Sequence, residues 1–274
     1  MTAPNAPTLL GPDDGPACEL VNPAGASPVV LVCEHASNFI PASLNGLGMA
    51  AEDRQSHAAW DIGAEELSQQ LSVLLDAPLV AGRVSRLVHD CNRPAGGAGA
   101  FPAQSEAIAV PGNLDLDDDA QALRARDIHQ PFHTMLEDLL AARAAPVVLV
   151  TLHSFTPIYH GMQREVELGL LHSSDDRLAR MMLRQARALS PLRSALNAPY
   201  GPADGVLYTL ERHAVPAGHL NVMVEFRNDL LLDAGGCGAM ATLLADLLRV
   251  SLPALGVALD GALDGAPVPA GPAS

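Results

Sequence analysis

Two histidines in this chain stand where a fold can bring them together. His35 comes just after the apolar run 28–33, and His153 ends the run that begins at Pro146. Short, uncharged, valine-rich runs of this kind are what strands covered on both faces look like. One histidine beyond such a strand is commonly a hydrogen-bonding strand cap. A pair of them, with Glu225 closing a third apolar run over 220–224, makes a set that can do chemistry. Hydrolysis at zinc requires a few nitrogen or oxygen donors, an open position for water, and a carboxylate near that water to take its proton. Glu225 is the candidate for that carboxylate.

Other polar residues gather after the same runs. Ser154 and Thr156 follow His153; Asp90, Asn92 and Arg93 follow the segment Arg86-Leu-Val-His89; Arg227 and Asn228 follow Glu225. Arg86 and Arg227 are either partners of Asp90 and Asp229 or contacts to a substrate carboxylate and the transition state. His57 and Asp61 are one helical turn apart, so they read as a ligand with its orienting partner or as the cap of the helix that follows. His133, just after Pro131, is placed to bond across a pocket or to make a buried polar contact. Cys33 and Cys91 flank these residues and read as packing residues, since no paired base recommends either as a nucleophile.

The elements that must position these groups alternate. Strands are expected over 28–33, 146–152, 165–171 and 220–226, with Arg86–His89 as another short run. The spacing predicts helices over 61–75, over 117–145 with an interruption at Pro131, over 175–189 and over 238–250. Helices between buried strands imply crossover connections, a largely parallel sheet, and ligands beyond the carboxyl ends of the strands. Residues 1–27 read as a flexible leader, 28–255 as one catalytic domain and 256–274 as a flexible tail rich in Gly, Ala, Pro and Asp.

Of the 274 residues, 49% are hydrophobic, enough for one substantial core. A formal charge of −15, from 31 acidic against 16 basic residues, argues against nucleic acid and anionic membranes as partners. The basic residues are all arginine, the better residue for gripping a planar carboxylate. Four scattered cysteines form neither a disulfide framework nor a closely spaced metal pair, and they fit a reducing cytoplasm. No apolar stretch free of charge approaches about 18 residues. Neither a dinucleotide fingerprint nor a serine nucleophile elbow is present. Oligomeric state is left open.

Seven motifs, in order between Val29 and Leu232, resemble those of the N-formylglutamate amidohydrolase family. They are Cys33-Glu-His-Ala-Ser-Asn38, His57-Ala-Ala-Trp-Asp-Ile-Gly63, Ser85-Arg-Leu-Val-His-Asp-Cys-Asn-Arg-Pro94, Pro131-Phe-His133, Thr151-Leu-His-Ser-Phe-Thr-Pro157, Asn197-Ala-Pro-Tyr200 and Val224-Glu-Phe-Arg-Asn-Asp229. That family is distantly similar to zinc carboxypeptidases and aspartoacylases. The resemblance implies an α/β fold, a three-layer αβα sandwich around a twisted mixed sheet of the phosphorylase/hydrolase type. It implies metal-dependent hydrolysis of N-formyl-L-glutamate to formate and L-glutamate. Alternatives are another small N-acyl amino acid or a cell-wall-like amide, or a non-catalytic carboxylate-binding protein on the same scaffold.

The resemblance also implies roles. His35 and His153 would be zinc ligands, Glu225 the general base with Arg86 as a second catalytic group, and Asn92-Arg93 the grip on a substrate carboxylate. Read from the residues rather than from the resemblance, Arg227, Ser154, Thr156 and His133 are further candidates for the substrate site, with His57, Asp90 and Asn228 in support. The zinc-binding His-x-x-Glu of the relatives reads His35-Ala-Ser-Asn38 here, which leaves Asn38, Glu34 and Asp61 as alternatives for the third ligand.

Overall fold

A computed structural model describes residues 8–144 and 146–260. The expected buried strands are there: β2 (Val29–Cys33), β6 (Val148–Phe155) and β11 (Leu220–Arg227), with all but Arg227 buried. They lie side by side and parallel. Because successive side chains of a strand point to opposite faces, each run feeds two cores. Val29, Leu31, Val148, Val150, Val222 and Val224 pack under the helices α1 (Ala64–Leu75), α4 (Arg177–Leu189) and α6 (Ala234–Ala254). Val30, Val32, Leu149 and Met223 pack on the other side, against α3 (Gln130–Ala141) and α5 (Tyr208–His213). The result is a three-layer αβα sandwich.

Four further strands complete a seven-stranded sheet in the order β1-β3-β2-β6-β11-β9-β10. These are β1 (Cys18–Val21), β3 (Leu79–Gly82), β9 (Leu168–Leu171) and β10 (Ser194–Leu196). The sheet is mixed: β1 runs antiparallel to β3, and β9 antiparallel to β11. Two small hairpins stand outside it, β4 (Gln104–Ser105) with β5 (Ile108–Ala109), and β7 (Ile158–Tyr159) with β8 (Met162–Gln163).

Three expectations are corrected. Arg86–His89 is not a strand; the strand is β3 just before it, and Leu87 and Val88 enter the core from a turn closed by Val88 N–H donating to the Ser85 carbonyl at 2.9 Å. From that turn Arg86 and Asp90 both face the cavity. The 117–145 helix does not break at Pro131. Asp117 caps α2 (Asp118–Arg124), a π turn follows over Ala125–His129, and Pro131 falls in the first turn of α3, where its missing N–H is tolerated. Within the segment read as a leader, residues 18–21 form the edge strand β1 and Leu9 is buried. Residues 1–7 and 261–274 of the expected leader and tail lie outside the described residues, whereas Val257 and Leu259, within the expected tail, are buried.

The helix over 61–75 begins later, at Ala64, after Gly63 in the left-handed region (φ 80°). A Cβ on Gly63 would stand 2.4 Å from Cβ of Leu231, so only glycine fits the turn. Asp61 gives that helix no side-chain cap, and its carboxylate is therefore available elsewhere. Helix α6 has the length and apolarity of a membrane span, but Ala241, Leu244, Leu248 and Leu252 are core residues.

Candidate active site

Adjacent strands bring the distant motifs together at one end of the sheet. Glu34 and His35 leave β2, His153 lies near the end of β6, and Glu225 sits opposite His153 on β11 in parallel register. On its other side Glu225 pairs with Gly169 of β9. A Cβ on Gly169 would lie 2.3 Å from the Ala198 carbonyl and 3.2 Å from Cβ of Glu225, so the glycine makes room for both. The Asp61 N–H donates to the His35 carbonyl at 3.0 Å, which pins the Asp61 turn over the end of β2.

The three side chains His35, Asp61 and His153 are all buried and turn one ligand atom each toward a common point, all within 4.8 Å of one another. Asp61 Oδ2 is 2.9 Å from His153 Nδ1 and 3.3 Å from His35 Nδ1. Donors held at about 2.0–2.1 Å around a tetrahedral ion stand roughly 3.3 Å apart, so this spacing fits a small divalent cation. The other ring nitrogens face carboxylates: His35 Nε2 is 2.8 Å from Asp90 Oδ1, and His153 Nε2 lies at ion-pair distance, 3.1 Å, from Glu34 Oε2. A carboxylate behind each histidine fixes the ring and makes its free nitrogen a better ligand. This cluster can hold a divalent metal such as zinc.

Charge supports the fit. Burial would depress both imidazoles, yet Asp90 raises His35 and Glu34 lifts His153 well above the ordinary histidine range. Positive charge is therefore stabilised here. Burial would raise Asp61, but Arg86 and then His35 outweigh it and hold the carboxyl well below the usual carboxylate range. Arg86 Nη2 is 2.7 Å from Asp61 Oδ1 and donates to the His57 carbonyl at 2.5 Å, while Nη1 lies 3.2 Å from His35 Nδ1. Glu225 behaves differently. Burial dominates, lifting its carboxyl to about 7, and its Oε2 has no hydrogen-bond partner. A carboxylate poised near neutrality beside three donor atoms is suited to taking and returning a proton.

These groups, with Asn92, Arg93 and Ser154, line a cavity of about 160 Å³. It adjoins a chamber of about 300 Å³ that shares Arg86 and Arg93 and is walled by Gln104, Ser105 and Tyr159 of the two hairpins. A wider groove of about 690 Å³, lined by Leu20, Pro131 and Met135 among others, lies apart from all of this chemistry.

The family model for N-formylglutamate amidohydrolase matches residues 27–232. The chain belongs to the N-formylglutamate amidohydrolase family. Its fold matches the gene product Atu2144 of Agrobacterium tumefaciens with a TM-score of 0.89 and 45% identity, covering 90% of this chain and 99% of that one. The N-formylglutamate amidohydrolase of Ralstonia eutropha JMP134 shares the fold at a TM-score of 0.66 and 18% identity, over 84% of this chain and 95% of that one. No curated protein matches significantly. As a family member the chain is an amidohydrolase.

Against that family background, several expected residues lie elsewhere. Asn38 turns away from the ligand atoms and donates to the Arg54 carbonyl at 3.1 Å and Gln55 Oε1 at 2.9 Å. Glu34 stands behind His153 rather than beside Asp61. Arg227 does not line the cavity; it pairs with Glu167 at 3.1 Å and Asp229 at 2.8 Å. Thr156 and Asn228, just past the ends of β6 and β11, also lie outside the lining. His133 is buried behind the wall, 2.7 Å from His213 Nε2 and 2.9 Å from the Cys91 carbonyl. Asn92 reaches the cavity, but its amide donates to the Val206 carbonyl and accepts from the Thr209 N–H at 3.1 Å. Tyr200 and Val206 line the cavity without having been expected there. Tyr200 was visible as the end of the motif Asn197-Ala-Pro-Tyr200, whereas nothing in the sequence marks Val206.

The buried and half-buried imidazoles outside the ligand cluster carry a pH signature. Burial, reinforced by neighbouring cations, lowers His57 to about 3, His89, His129 and His213 to about 4, and His133 to about 2. Unfolded, each would take up a proton below about 6.5, so their contribution to stability is complete above that pH and is lost as pH falls toward the folded values. His35 and His153 are raised, so their contribution is complete below about 6.5 and is lost only as pH rises above it; they do not oppose the fall on the acid side. The melting temperature is therefore expected to fall between pH 6.5 and 4. Thermal melts across that range check this, and a level profile would contradict it.

Proposed function

We propose that this chain catalyses hydrolysis of N-formyl-L-glutamate to formate and L-glutamate, with zinc held by His35, His153 and Asp61. The observation that carries the reading is the convergence of those three ligand atoms beside Glu225, a carboxyl lifted to about 7. A divalent ion bound there supplies Lewis-acid polarisation of the formyl carbonyl and acidifies water. Glu225 takes the proton of the attacking water and delivers it to the departing amine, so the C–N bond breaks with a neutral leaving group. The N–H groups of Arg86 are largely committed to Asp61 and nearby carbonyls, so it acts as a fixed positive charge beside the developing oxyanion. Arg93 borders the cavity with no acidic partner within ion-pair distance among the described residues, and it grips the substrate carboxylate. Four free, buried cysteines fit a cytoplasmic setting.

Formate release from N-formyl-L-glutamate by zinc-loaded protein is the direct test; no release would overturn the proposal. Arg93→Lys keeps the charge but loses the two-pronged geometry. It is expected to lower kcat/KM by about tenfold or more, and an unchanged value would remove Arg93 from the substrate site. The adjoining chamber of about 300 Å³ favours a second reading in which the acyl group is longer. N-acetyl- and N-succinyl-L-glutamate, assayed beside the formyl compound, distinguish the two.

A further inference from the structure

Behind the wall that carries Asp90, Asn92 and Arg93 lie four buried imidazoles that the reaction above does not use. His89 belongs to the same loop, His129 to the π turn, His133 to α3 and His213 to the end of α5. The rings pack on one another, His129 and His133 with centroids 4.2 Å apart and His133 stacked on His213 at 5.0 Å. Three of the four turn a ring nitrogen to the loop backbone. His89 Nδ1 is 3.2 Å from the Asp90 carbonyl, His133 Nε2 is 2.9 Å from that of Cys91, and His129 Nε2 is 3.2 Å from that of Arg93. The remaining carbonyl, of Asn92, accepts from Arg93 Nη1 at 2.8 Å. Every carbonyl from 90 to 93 thus has a side-chain donor.

A carbonyl only accepts, so the ring nitrogen facing it must carry the proton. That requires Nδ1–H in His89 and Nε2–H in His129 and His133. Nδ1 of His133 is then an acceptor, and His213 Nε2, 2.7 Å away, must donate to it. A donor chain therefore runs from α5 through α3 to the Cys91 carbonyl.

We propose that His89, His129, His133 and His213 are positioning residues, neutral donors that hold the 90–93 peptide planes so that Asp90 stays on His35 and Arg93 faces the cavity. What Asp90 and Arg93 accomplish rests on the functional reading above; the backbone grip does not. Phenylalanine would pack at 129 or 133 but would remove the side-chain donor to the buried Arg93 or Cys91 carbonyl, so the N–H is what those two positions use; at 213 it would remove the donor to His133 Nδ1, and at 89 the Asp90 carbonyl would keep the Arg93 N–H at 3.1 Å.

Long-range proton–nitrogen NMR of the full chain at pH 7 should show neutral rings in the stated tautomers; a cationic His129 or His133, or the opposite tautomer, would overturn the proposal. Amide hydrogen exchange supplies the second test. In His133→Phe the amides of Asn92 and Arg93 should exchange roughly tenfold faster or more while those of β6 and β11 do not change. His133→Gln, which keeps an N–H at the same reach, should restore most of that protection. KM for N-formyl-L-glutamate should rise in the phenylalanine variant more than kcat falls, and recover with glutamine. A folded phenylalanine variant with normal loop exchange, or equal damage from both substitutions, counts against the idea. If His133→Phe does not fold, His129→Phe, which removes one bond to the Arg93 carbonyl, takes its place. Should the protein release no formate at all, the functional reading falls while tautomers and exchange still decide this proposal.

Discussion

Glutamine in place of Glu225 is expected to leave a folded, metal-binding protein whose kcat is lower by roughly 10²-fold or more. The substitution keeps size and removes basicity. Glu225 makes no ion pair with Arg227, whose guanidinium is committed to Glu167 and Asp229, so a purely structural role through that pair is already excluded. Burial is the largest influence on its carboxyl; His153 opposes it, and the negative Asp61 adds to it. Removing a charge that the fold does not use for pairing should cost little stability, and the melting temperature should stay level or rise. Steady-state formate release, metal content and a thermal melt of one preparation make the comparison. A metal-loaded glutamine variant with near wild-type kcat would sink the general-base role; loss of folding would indicate a structural one.

The second large effect concerns the third ligand. Asp61→Asn should lose stoichiometric zinc after dialysis, whereas Asn38→Ala should keep it. Asp61 Oδ2 lies within 3.3 Å of both Nδ1 atoms, while the Asn38 amide is spent on Arg54 and Gln55. Asparagine preserves the shape of the site but removes the carboxylate that balances Arg86, so some instability accompanies the loss. Removing one partner of a buried pair costs about 3–5 kcal/mol. His153→Ala leaves the Asp61–Arg86 pair intact but takes the partner of Glu34 away, so a thermal melt of both variants beside the metal measurement separates metal loss from instability. Full metal content in both Asp61→Asn and His153→Ala, measured by elemental analysis, would rule out this ligand set.

The same pairing explains what was legible beforehand. The runs that became β2, β6 and β11 are apolar on both faces because helices cover both, and that composition is readable without coordinates. Since ligands collect beyond the carboxyl ends of such strands, His35, His153 and Glu225 could be picked out by position alone. Motif order then led to the family that the match over residues 27–232 establishes. Less legible were elements whose pattern is local and weak. The two-residue hairpin strands and β1 carry too few residues for alternation to show, and Leu87 and Val88 imitate a strand because a buried turn needs apolar side chains too.

The sequence by itself determined which residue types were available and which strand ends would carry them. Only the tertiary structure decided how one type was divided among different tasks. Asp61 reads equally as a helix cap or a ligand until Gly63 is seen to start the helix and free the carboxylate. Arg86 and Arg227 each stand near an aspartate in the sequence, yet Arg86 pairs with Asp61 at the cavity, whereas Arg227 keeps its neighbour Asp229 and adds Glu167, a residue 60 positions away. His133, expected among the substrate contacts, turns to His213 and the Cys91 carbonyl instead. The physical reason is common to all of these. A side chain's partner is chosen by which backbone ends the sheet order places together, and that order is set by long-range pairing that no local window contains.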